Sequence, residues 1–153
     1  MSFAASNIYS DTVKLGSNDL ASALKNYNFS DSADLNLCAA YPRQILALQA
    51  LGDNRTTPST TILIKKIKDL CFANGIYGQN GINDDVFGLI ALISHGEPIN
   101  STLINNIIAN IESDQTSEGA FTWAGYAGAD ITGAAINALI YARNHGAVIN
   151  DGS

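Results

Sequence analysis

Few residues in this 153-residue chain are of types that do chemistry, and they fall into four groups. Asn83-Asp84-Asp85 sets two carboxyl groups side by side. Such a pair can act as a general acid if burial and a neighbouring charge keep one member protonated. Placed ahead of an apolar run, the same pair also reads as helix N-capping, worth about 1 kcal/mol. The two histidines, His95 and His145, both precede glycine at the end of an apolar segment, where a helix dipole favours a cationic side chain. Cys38 and Cys71 can form one disulfide or remain two buried thiols. Neither has a metal-ligand partner at useful spacing, so no metal site is expected. Phe121, Trp123 and Tyr126 share a glycine-containing loop from Gln115 to Gly128. Aromatics presented in that way can bind a sugar ring or a corrin-like ligand, or they can simply pack the turn. Tyr77 in the shorter segment Gly75-Ile-Tyr-Gly78 speaks for packing, since each loop then needs one aromatic. No nucleophile with a base, phosphate loop or nucleotide fingerprint stands in the chain, and no cofactor is expected.

The bulk composition narrows the partners. Hydrophobic residues make up 46% of the chain and charged ones 14%, which suits one domain spanning 1–153 with a packed core. The net charge is −6 with only 8 basic residues. Nucleic acid and anionic membranes both demand a basic patch, so neither is an expected partner. The longest apolar run, Val86 to Ile93, is interrupted by Gly88 and falls far short of a membrane-spanning helix. The first ten residues lack the basic start and apolar centre of a signal peptide. They read as the boundary of an excised domain, and the closing Asn-Asp-Gly-Ser reads as a cut in a linker.

The elements that position these groups follow from helical periodicity and capping. Ser17 is expected to cap a helix through Leu20, Ala23 and Leu24. Pro42 is expected in the first turn of a second, holding Ile45, Leu46, Leu48 and Leu51. Thr57-Pro58 opens a third, with Ile62, Ile64, Ile67 and Leu70 on one side and Lys65, Lys66 and Lys68 largely on the other. Asp84 or Asp85 caps a fourth, Asn100 or Ser101 a fifth with Leu103, Ile104, Ile107, Ile108 and Ile111, and Asp130 a sixth. The odd-numbered helices are amphipathic; the even-numbered are apolar nearly all round and rich in small residues. An outer layer around an inner one accounts for both patterns.

These six helices form three unequal copies of one unit, over residues 17–52, 58–96 and 101–146. Asp85-Val-Phe-Gly88 matches Asp130-Ile-Thr-Gly133, both lead into apolar runs, and each unit closes on a glycine, at 52, 96 and 146. Those glycines are placed to take the left-handed conformation after a helix.

Gln115-x-x-x-Gly119-x-Phe121 resembles the QW motif of squalene and oxidosqualene cyclases, with Phe in place of the usual final Trp and Trp123 two residues on. The following Asp130-Ile-Thr-Gly133 resembles the start of the inner helix in the prenyltransferase and squalene-oxidase repeat superfamily. That superfamily also includes cobalamin carriers and many bacterial surface repeat domains. The resemblance covers residues 60–146, with a weaker extension back to 17. It implies an all-α fold of about three tandem helical hairpins forming a partial α/α-toroid. It further implies that Gln115 and Gly119 close a tight turn between an outer and an inner helix, with the aromatic ring stacked on it. Asp85 and Asp130 would mark the inner-helix starts.

The chemistry of the enzymes in that superfamily is not carried over. Class II terpene cyclases protonate their substrate with the middle Asp of a DxDD motif, and here Ile82 replaces its first Asp. Protein prenyltransferases bind zinc through Asp, Cys and His, but His95 and His145 fall at helix C-termini and Cys71 at the end of an outer helix. A closed ring needs about six hairpins, and half a ring leaves a carbocation open to quenching by water. A homodimer of two half-rings would be one means of closure. The expected function is therefore a non-catalytic repeat domain of a secreted or cell-surface protein, structural or binding a small-molecule or carbohydrate ligand. The alternative is a fragment of a terpene cyclase or prenyltransferase-like enzyme.

Overall fold

The computed structural model describes residues 14–27, 37–52 and 58–150. A strand pair, β1 (Lys14–Leu15) and β2 (Asn18–Asp19), leads into a short helix, α1 (Leu20–Lys25). Then come α2 (Leu37–Ala50) and α3 (Pro58–Leu70), the pair β3 (Phe72–Ala73) and β4 (Ile76–Tyr77), and α4 (Ile82–His95). The order closes with α5 (Thr102–Ser113), the pair β5 (Thr122–Trp123) and β6 (Tyr126–Ala127), and α6 (Ala129–Asn144). The architecture is mostly helical, in keeping with an all-α class, with small antiparallel strand pairs between helices. Among the described residues no helix is long and apolar enough to cross a membrane.

α2, α4 and α6 lie in one row with α4 in the middle, while α3 packs on α2 and α5 on α4. The core sits between the two layers. Ile82, Leu89 and Leu92 of α4 and Ile104, Ile107 and Ile111 of α5 have no solvent exposure at all. On α3 the buried stripe is Thr60, Leu63, Ile64 and Ile67. Ile62 and Leu70, expected on that side, are instead 56% and 66% exposed. The reason is geometric: at 3.6 residues per turn Ile62 stands about 200° around the helix from Ile64.

Several expected starts shift. Ser17 lies in the turn between β1 and β2, and Asp19 caps α1, its Oδ1 accepting the Ser22 N–H at 2.7 Å. Pro42 is in the interior of α2, not its first turn. A proline there offers no N–H to the carbonyl four residues earlier, which is Cys38 O. The helix tolerates it because the Tyr77 hydroxyl donates to Cys38 O at 2.9 Å in place of the missing amide. Thr57 lies outside the described residues. Ser101 caps α5, accepting the Ile104 N–H at 3.3 Å. Cys38 in α2 and Cys71, just past α3, are joined in a disulfide with Cα atoms 5.5 Å apart.

Glycines close the inner helices as the chain pattern predicts. Gly52, Gly96 and Gly146 have φ of +88°, +101° and +98°. The inner helices are not alike, however. α4 is enclosed, and a Cβ on its Gly88 would come within 2.5 Å of the Tyr77 ring. Gly133 of α6 faces open space, and Ile136 and Ile140 of that helix are exposed. The match of Asp85–Gly88 with Asp130–Gly133 therefore joins positions in different environments.

The glycine-containing loops prove to be hairpins. Asn74-Gly75 and Ala124-Gly125 turn at φ of +53°/+81° and +52°/+82°, the two-residue geometry that matches strand twist. Strands of two residues carry no periodicity, which is why the chain reads there as loop.

Candidate functional site

The acidic pair forms the base of the second hairpin. Asp84 is fully buried, and its Oδ2 accepts the N–H groups of Gln79 and Asn80 at 3.0 and 3.1 Å. It thus holds the loop before α4 rather than capping the helix. The N-cap is Gly81, which has no side chain to offer. Asp114, from the end of α5, supplies the missing acceptor by taking the Ile82 N–H. Burial raises the Asp114 carboxyl above the usual range, and the Ile82 hydrogen bond opposes that rise.

Asp85 is not a cap either. It is 2% exposed, and burial pushes its carboxyl up to about 8. A hydrogen bond with the Asn110 side chain works against the rise, and the charges of Asp84 and Asp114 add to it. Its Oδ1 has no hydrogen-bond partner. A carboxyl in such surroundings is held neutral. Burial, reinforced by the Asp84 charge, likewise raises the Tyr77 hydroxyl far above its ordinary range, so it stays a donor to Cys38 O.

In the third unit Asp130 is exposed and is the second residue of α6, behind an N-cap at Gly128. It is not the N-cap, a place that Gly128 fills without a side-chain hydrogen bond. A Cβ at Gly128 would sit 2.6 Å from Asp130 Oδ1. Asp84 crowds Gly78 at similarly short distance, but it is fully buried where Asp130 is exposed.

Gln115 and Gly119 meet, the Gln115 Nε2 donating to Gly119 O at 3.1 Å. Gly119 has φ of +86°, and Gln115 pairs with Phe121 as an isolated antiparallel bridge. Phe121 is 3% exposed and belongs to the core. Trp123 and Tyr126 part company with it. They face each other across the third hairpin, hence on one side of it, and are 46% and 81% exposed.

Trp123 reaches the neighbouring unit, its Nε1–H donating to Asn80 O at 2.8 Å. Between the two loop ends lies an open cleft of about 320 Å³. Gln79 to Ile82 form one wall, Thr122 to Gly125 the other, and Asp114 contributes a carboxylate. Asp85, sealed below, lines neither this cleft nor the smaller groove beside α6.

No family model, curated protein or solved structure matches this chain. What the site can do therefore rests on its own geometry. The cleft offers an indole face fixed in orientation, the exposed amides of Gln79 and Asn80, and one carboxylate. Among the described residues no three His, Cys, Asp or Glu side chains are grouped as metal ligands. Neither Asn80 nor Asp114 stands out in the sequence. Their one signal is the general need of a tryptophan N–H for an acceptor, which does not say where the acceptor lies.

Proposed function

We propose that the chain is a non-catalytic repeat domain of a secreted or cell-surface protein, built as part of an α/α-toroid of the prenyltransferase and squalene-oxidase repeat kind. Its hairpin end binds a small hydroxylated ligand, a carbohydrate in particular. The observation that carries this reading is the Trp123 indole, clamped by Asn80 O and yet 46% exposed in the wall of a cleft of mixed polarity. A fixed aromatic face beside amide and carboxylate groups is the usual means of holding a sugar ring, whose C–H face is apolar and whose rim is polar. The disulfide suits an oxidising compartment. The row of inner helices with amphipathic helices outside is compatible with a toroid arc.

The enzyme-fragment alternative draws on one feature, the neutral carboxyl of Asp85. Against it stands the burial of that group beneath residues that leave no room for a substrate. Calorimetric titration with a panel of mono- and oligosaccharides tests the proposal. Binding is expected to weaken at least about tenfold in Trp123→Ala, the loss of one good stacking contact. Heat only with isoprenoid diphosphates, or sugar binding unchanged in Trp123→Ala and Tyr126→Ala, would overturn it.

A further inference from the structure

The inner row has a second layer over two of its members, α3 on α2 and α5 on α4, and no described helix covers α6 in the same manner. The chain nevertheless leaves α4 and α6 alike. The N–H groups of Glu97 and Ala147 return to Leu92 O and Ala142 O at 3.0 and 3.1 Å. Ile99 and Ile149 both pack partly buried on the core, and Asn100 has its counterpart in Asn150. After α4 this run leads through Ser101 into α5, whose Ile104, Ile107, Ile108 and Ile111 are buried.

At the equivalent place beside α6 there is an open groove of about 200 Å³. Its apolar wall is Phe121 with Ile136, Leu139 and Ile140. Ile136 and Ile140 are 46% and 42% exposed and one turn apart, so they share a face. Asn150 stands at the edge, its backbone N–H and Nδ2 both donating to the Glu112 carboxylate at 2.7 and 2.9 Å. The clamp fixes the direction in which the chain passes the groove.

We propose that this groove receives an amphipathic α-helix of the α5 kind, with a stripe of Ile and Leu inward and uncharged polar residues outward. The argument is continuity with the interface inside the chain: α5 lies on α4 through such a stripe, with Thr102, Asn105 and Ala109 exposed on the opposite side. α6 presents the matching surface after the same helix ending. The occupant is thus defined by a covering geometry used twice in this fold and by the chemistry of α5.

The test replaces Asp151-Gly152-Ser153 by a copy of residues 101–116, so that the copy follows Asn150 as Ser101 follows Asn100. A control copy carries Ser at the positions of Ile104, Ile107, Ile108 and Ile111. The apolar copy is expected to raise Tm by about 5 °C or more, and the control not at all. Ile136→Lys and Ile140→Lys, at exposed sites that leave the fold intact, are expected to remove the gain. Equal Tm for the two copies, or a gain that survives both lysines, overturns the proposal. So does sedimentation of the unaltered chain as a dimer that Ile140→Lys dissociates, since a second copy would then be the occupant.

Discussion

Replacing Asp85 by Asn removes a proton-binding site without changing the shape of the side chain, and its effect on stability against pH has a definite sign. The folded carboxyl is pushed up to about 8, against an ordinary value of 3.8. Between those two values the folded chain holds a proton that the unfolded chain has released. Stability is therefore full below the lower value and falls as pH rises, levelling off only above the higher one. The slope for one such proton is about 1.4 kcal/mol per pH unit, so between pH 5 and 7 the chain loses about 3 kcal/mol. Asp114, raised by its own burial, contributes in the same direction.

Asn is neutral at every pH and can exchange amide hydrogen bonds with Asn110. The variant is thus expected to lie up to about 1 kcal/mol below the parent near pH 4, the cost of a rearranged hydrogen bond, and to exceed it by roughly 2–4 kcal/mol at pH 7. Urea unfolding followed by circular dichroism at intervals from pH 4 to 8.5 measures both curves. Taking their difference cancels the contribution of the two histidines. A parent curve that is flat from pH 5 to 8, or an equal slope in the variant, would refute the reasoning.

Two further substitutions probe the contacts around Tyr77. Gly88→Ala sets a methyl within 2.5 Å of a ring that is only 1% exposed and cannot retreat; thermal unfolding should register a loss of about 1–3 kcal/mol. Tyr77→Phe strands Cys38 O at about 1–3 kcal/mol. In a Pro42→Ala background, where a backbone N–H can take over, the same change should cost measurably less by denaturant titration, and equal costs would show that the proline and the hydroxyl are unrelated.

Much of the helical frame was legible because it rests on local chemistry. The glycines at 52, 96 and 146 follow from the left-handed residue that ends a helix, and the α5 stripe from a period of 3.6. What escaped depended on partners far along the chain. Pro42 reads as a helix start unless one knows that Tyr77, 35 positions on, supplies a donor to Cys38 O. Asp84 and Asp85 read as caps because their neighbours in sequence are a helix start, whereas Gln79, Asn80 and Asn110 decide what they do. In the candidate site, Trp123 and Tyr126 were visible as aromatics on a glycine-containing loop, and Phe121 was indistinguishable from them. In the fold Phe121 bridges Gln115 and is buried, whereas Trp123 and Tyr126 pair on the exposed hairpin. The second wall of the cleft, 43 positions from Trp123, leaves no local trace.

The hydrogen bond from Trp123 to Asn80 O has a spectroscopic consequence. The chain contains a single tryptophan, and its indole N–H ends on a carbonyl of the preceding hairpin unit. Intrinsic tryptophan emission from this protein therefore reports the docking of the third hairpin on the loop before α4. A red shift marks the parting of the two loop ends, even where every helix remains wound.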